Sequence, residues 1–234
     1  MKKTIGLLVV FALCIMAADF WKKPFTQWSE KDAAKMLTDS PWAKSTGVSM
    51  GGAPPPGAPG GLEGGGGGFG RGSLPGGPQG GGGPDAGPGA GPSLEVVARW
   101  QTALPVRQAF VRLKYGAEAD KSEDAKKVLA QQNRPYEIVL SGPLGAFLPG
   151  KPEESAKALS EVTSLSSRRT GAIKPIQIQV SNPGRSMDVL FVFPRSMPFT
   201  VEDKEVEFST KLGTSNLKYR FKPKDMVFNG KLEM

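Results

Sequence analysis

The sequence predicts an α+β fold, a mostly antiparallel sheet with about three helices on one face, and three observations lead to it. Apolar residues alternate along short runs through the last third of the chain. Helical spacing appears in three stretches between residues 105 and 162. A glycine- and proline-rich stretch, residues 50–93, separates this periodic region from everything before it. Of 31 Gly and 21 Pro in 234 residues, 21 Gly and 9 Pro fall there, which leaves too few apolar side chains to offset the entropy of ordering the backbone.

Residues 1–18 have the form of a secretory signal peptide. Lys2 and Lys3 precede an apolar run from Ile5 to Met16, and Ala17 and Ala18 offer small residues for cleavage. The run is shorter than the roughly 20 apolar residues a permanent membrane helix needs. Leu13 before Cys14 is too large for a lipoprotein signal. Cleavage would remove the only cysteine, so no disulfide framework is available and stability must come from an apolar core. The expected location is periplasmic or extracellular, with no permanent membrane span in the mature chain.

Residues 19–49 hold three of the four tryptophans, Trp21, Trp28 and Trp42, together with Phe20 and Phe25. Ser29 with Asp32 resembles a capping box, predicting a helix over 30–37 with Ala33, Met36 and Leu37 on one face and Pro41 enforcing a stop. Thirty residues cannot bury this much aromatic surface alone. Phe20, Trp21, Phe25, Trp28 and Trp42 are therefore candidate interaction residues. They dock in cis on the C-terminal domain or in trans on an envelope protein, and the length of the following linker favours trans.

Residues 50–93 are expected to be a disordered linker. A phosphate-binding loop would need a lysine, and this stretch has none. Gly-Phe-Gly-Arg-Gly around Phe69 and Arg71 is a single copy of an arginine-glycine element. Glycine does not recur every third residue as collagen requires.

Residues 94–234 form the predicted α+β domain. Leu94, Val96, Ala98 and Trp100 alternate as a strand. Pro105 opens a helix whose face carries Val106, Ala109, Phe110 and Leu113 and which ends near Gly116. Ser122 caps a second helix, Tyr136 to Leu140 make a strand, and Pro152, Glu153 and Glu154 open a third helix, the carboxylates matching its dipole. Ile176, Ile178 and Val180 point one way along a strand ending in a turn at Asn182, Pro183 and Gly184. Met187 to Phe193 reads as a central strand. Three more strands are expected near 205–211, 217–222 and 226–232. Pairing the first two of these by pattern sets Phe208 opposite Phe221 and Glu207 opposite Lys222, with residues 213–216 as the loop.

The chain has no histidine, which removes histidine-assisted nucleophiles and nearly every zinc, copper or haem site. Ser215 and Lys218 match a Ser-x-x-Lys spacing by chance within a hairpin. Glu202, Asp203, Glu205 and Glu207 lack the order of a calcium loop and read as a solvated acidic edge. No catalytic, cofactor-binding or metal-binding residue is singled out, and no cofactor is expected. The formal charge is +8, and residues 94–234 contribute +6 of it, a diffuse balance with no nucleic-acid site. Cross-strand carboxylates are expected to neutralise much of the comb Lys218, Arg220, Lys222 and Lys224.

Trp-Ser-Glu at residues 28–30, Met-Leu-Thr-Asp-Ser-Pro-Trp-Ala at 36–43, Glu-Asp-Lys-Glu-Val-Glu-Phe at 202–208 and Gly-Lys-Leu-Glu-Met at 230–234 resemble uncharacterised exported proteins of acidobacterial soil bacteria. The resemblance implies a shared plan of signal, tryptophan segment and C-terminal domain, and carries no activity or site residues with it. The expected function is that of an exported, non-enzymatic interaction or structural protein of the cell envelope. The alternative is a ligand-binding or carboxylate-dependent hydrolytic domain.

Overall fold

The computed structural model describes residues 20–49, 93–131, 134–148, 150–181 and 186–234. The leader, the body of the glycine- and proline-rich stretch and the expected turn at Asn182 to Gly184 lie outside the described residues.

Two antiparallel sheets meet face to face. The first runs in the order β1 (Ala43–Ser49), β2 (Ser93–Trp100), β3 (Tyr136–Gly142), β7 (Met187–Phe193), β6 (Gln177–Ser181). The second runs β5 (Gly171–Ile173), β4 (Ser164–Ser167), β8 (Val206–Leu212), β9 (Ser215–Phe221). A small hairpin, β10 (Val227–Phe228) with β11 (Lys231–Leu232), closes the described chain. Alternation fixes which side chains meet between the sheets, because residues two apart share a face. Val96, Ala98 and Trp100 of β2, Ile138 and Leu140 of β3, and Phe191 of β7 are all fully buried against Phe208, Tyr219 and Phe221 of the second sheet. The rings of Phe191 and Phe208 lie 5.2 Å apart, those of Trp100 and Phe221 5.7 Å, and the Tyr219 hydroxyl donates across the gap to the Val96 carbonyl at 3.0 Å.

The helices follow their end signals. In α1 (Glu30–Thr38), Ser29 accepts from the Asp32 amide and Asp32 accepts from the Ser29 amide, a complete capping box. Gly116, at φ 56°, ends α2 (Leu104–Tyr115), and Ser122 caps α3 (Glu123–Ala130). Glu153 and Glu154 occupy the first turn of α4 (Pro152–Val162) as dipole partners. The grouping differs from one helical layer: α1 and α3 pack on α2, while α4 packs on β6 and β8.

Several features depart from the sequence reading. Strand β1 was not expected, because Ala-Lys-Ser-Thr-Gly-Val-Ser has almost no alternation; as an edge strand it needs little. The short β4 and β5 escape notice for the same reason. The expected last strand is instead a turn at Pro223–Met226 followed by the hairpin, whose Asn229 and Gly230 both have positive φ, 50° and 76°, the type I′ arrangement Asn-Gly favours. Phe208 pairs with Tyr219, not Phe221, and Glu207 with Arg220, not Lys222. A two-residue displacement leaves every side chain on its own face, so polarity could not choose between the registers. The turn chooses: Gly213 at φ 56° before Thr214 fits a two-residue type II′ loop. Ile176 lies before the start of β6 and is 67% exposed, not inward.

Candidate functional site

Two of the five aromatic candidates are in the core. Trp28 and Trp42 are fully buried, packed in cis against the rest of the chain, which corrects the expectation that the segment docks in trans. The Trp28 indole donates to the Lys23 carbonyl at 3.0 Å, and Arg112 of α2 donates to the Trp28 carbonyl at 2.7 Å. The Trp42 indole donates to the Glu233 carbonyl at 2.8 Å, and its ring meets Phe228 edge to face at 6.1 Å. The segment is thus bolted to both α2 and the C-terminal hairpin. Phe20, Trp21 and Phe25 are half-buried over this junction, with Trp21 edge-on to Trp42 at 6.0 Å.

The other sequence candidates resolve into structural roles. Ser215 and Lys218 are three apart on β9 and so project to opposite faces, which rules out a dyad. Asp203 leaves the acidic edge for the interior. Its side chain is 1% exposed, taking hydrogen bonds from Ser167 Oγ at 2.7 Å, Arg169 Nη2 at 2.9 Å and the Thr200 amide at 2.8 Å. Burial alone would raise this carboxyl, but those donors outweigh it and hold it below its ordinary value. Glu205 and Glu207 stay outside and pair with Arg220, with Glu207 also reaching Lys218. Among the described residues no three potential ligands come together around a metal position.

The site that sequence reasoning missed is a cleft of about 470 Å³ between the start of α2, the end of α3 and the C-terminal hairpin. Arg107, Arg134, Arg195 and Lys231 line it, and among the described residues Glu233 is the one carboxylate side chain in the lining. Each charge has a traceable position. Arg107 is 8% exposed, and its Nη1 donates to the carbonyls of Val128, Gln131 and Leu129 at 2.8, 2.9 and 3.3 Å, capping the carboxyl end of α3. Its Nε is buried with no acceptor among the described residues. Burial lowers the Arg107 pKa, the Glu233 charge raises it and the Arg134 charge lowers it again. Arg134 donates to Glu137 at 2.7 Å, and Arg195 lies over the Tyr136 ring at 4.7 Å. Glu233 is committed elsewhere, its Oε2 accepting from the Leu104 amide at 3.0 Å and so capping the start of α2.

What remains is a concave surface with a surplus of positive charge beside an apolar wall of Leu104, Leu129, Phe228 and Leu232. Such a surface concentrates and orients anions. No signal in the sequence predicts it, because its cations are spread over residues 107–231 and share no local motif. No family model matches the chain, and neither a curated protein nor a solved structure is found to be similar to it.

Proposed function

We propose that the chain is an exported, non-enzymatic module of the cell envelope that works by binding an anionic molecule at the cleft around Arg107. Export is supported by the leader pattern of residues 1–18. The observation that carries the binding reading is the convergence of four cationic side chains on one cleft while Glu233, the one carboxylate side chain lining it among the described residues, is used as a helix cap. The tryptophan segment then serves as scaffold: Trp42 holds the backbone of Glu233 and packs on Phe228, which fixes one wall of the cleft. Phe20, Trp21 and Phe25, half-buried at the surface, are the part of the segment still able to meet an envelope partner.

This favours ligand binding over carboxylate-dependent hydrolysis, since hydrolysis by two carboxylates needs both of them free and facing one substrate. Asp203 is held in an interior network and Glu233 caps a helix.

Thermal unfolding at matched ionic strength tests the reading. Citrate and phosphate should raise the midpoint over sodium chloride by more in the native chain than in the Arg195→Gln, Lys231→Gln double variant, the shared part reflecting exclusion of these anions from protein surface and the excess mass action at the cleft. Equal increments in the two chains would remove the binding reading. Amino-terminal sequencing of the native protein tests export, with Met1 or Lys2 retained as the contrary result.

A further inference from the structure

The geometry points to a specific class of ligand for this cleft, a phosphate monoester carrying an apolar group. The inference rests on the binding reading above and narrows it.

The charge balance selects the anion. Glu137 offsets Arg134 in part, whereas Arg195 is held through a ring face and a carbonyl and has no carboxylate within ion-pair distance among the described residues. Lys231 has no carboxylate within ion-pair distance among the described residues. One carboxylate ligand would leave part of this surplus uncompensated. A phosphate monoester brings nearly two charges near neutral pH and three acceptor oxygens, matching guanidinium forks and an ammonium together. Arg107 adds its charge from behind, because its buried guanidinium is tied to three carbonyls of the α3 terminus and cannot swing away.

The shape selects the rest of the molecule. A bare phosphate fills only a small part of 470 Å³, and the cleft lies in the size range of pockets for small organic ligands. Leu104 and Leu129 on the helices face the same space as Phe228 and Leu232 on the hairpin. An alkyl or aryl group attached to the phosphate would take this apolar surface out of water while the phosphate meets the cations. Such chemistry is offered both by soluble organic phosphates and by the headgroup region of phosphomonoester lipids.

Isothermal titration of the mature chain with n-hexyl phosphate, inorganic phosphate, hexanoate and citrate tests the assignment. Hexyl phosphate should bind at least about tenfold more tightly than inorganic phosphate and than hexanoate. Arg195→Gln with Lys231→Gln should weaken hexyl phosphate at least about tenfold, whereas Leu232→Ser should weaken it only towards the inorganic phosphate value. Lys218→Gln, on the outer face of β9, should change nothing. Flotation with phosphatidic acid vesicles against phosphatidylcholine vesicles separates the sources: recovery with phosphatidic acid alone, lost in the double variant, assigns a lipid. No recovery, with hexyl phosphate still bound, assigns a soluble ester. Hexyl phosphate binding no better than inorganic phosphate would overturn the apolar assignment. Tight citrate with no hexyl phosphate binding would overturn the ligand class while leaving the anion site standing. No binding of any probe would remove both.

Discussion

Ser49 and Ser93 are direct partners across the β1–β2 ladder, although 43 residues lie between them. The glycine- and proline-rich stretch therefore leaves and re-enters the fold at the same place. It is the connection of a hairpin, and it gives the tryptophan segment no reach, since β1 is paired along its whole length from Ala43 to Ser49. Closing a loop this long opposes the pairing by an entropy that grows with the logarithm of its length. Replacing residues 50–92 with Asn-Gly should therefore raise stability by about 2–3 kcal/mol in urea unfolding, with the fold unchanged. Loss of stability in the shortened chain would mean that the stretch makes contacts of its own.

Burial of the tryptophan segment in cis has an optical and an energetic signature. Trp28, Trp42 and Trp100 are fully shielded, so the isolated mature protein should emit at short wavelength and shift red on unfolding. Trp28→Ala should cost about 3–5 kcal/mol, the range for emptying a large aromatic site. A value under about 1 kcal/mol would mean that the segment contributes little to the core.

Two buried indoles differ in one respect, which allows a paired measurement. The Trp42 Nε1 donates to the Glu233 carbonyl, whereas Trp100 Nε1 has no acceptor among the described residues. Replacing each by phenylalanine removes similar volume, but only Trp42→Phe breaks a hydrogen bond and leaves a carbonyl unpaired. Trp42→Phe should be the more destabilising by about 1–2 kcal/mol, and should also weaken ligand binding at the cleft whose wall Glu233 and Phe228 form. Equal effects on stability would show that the Glu233 contact contributes nothing.

Asp203 gives the fold a pH dependence of predictable sign. Its carboxyl is held below the ordinary value, so the folded state binds the proton less readily than the unfolded chain does. The resulting stabilisation is fully present above the unfolded carboxylate value of about 3.9 and is lost as pH falls through the lower folded value. Asp203→Asn should be destabilised by about 1–3 kcal/mol at pH 7, with the gap narrowing as pH falls below about 4. A gap that stays constant to pH 2 would assign the effect to packing instead of charge.

Local chemistry was enough to determine much of this protein. A capping box, a glycine end and a serine cap place α1, α2 and α3, alternation places β2, β3, β8 and β9, and an apolar run places β7, because these signals act over a few residues. Asn229-Gly230 was equally legible as a turn, though the alternation of Met226, Phe228, Leu232 and Met234 masks it by suggesting one continuous strand. Tertiary structure decided the rest. Tryptophans at 28 and 42 announce that something must cover them, but only the pairing of β1 with β2 and the contact of Trp42 with Glu233, 191 positions away, show that the cover is the chain itself. The register of β8 on β9 depended on a two-residue turn that polarity cannot distinguish from a four-residue one. The cleft has no sequence signature because an electrostatic site needs its charges close in space, and Arg107 of α2, Arg134 before β3, Arg195 after β7 and Lys231 of the last hairpin become neighbours only when these elements pack together.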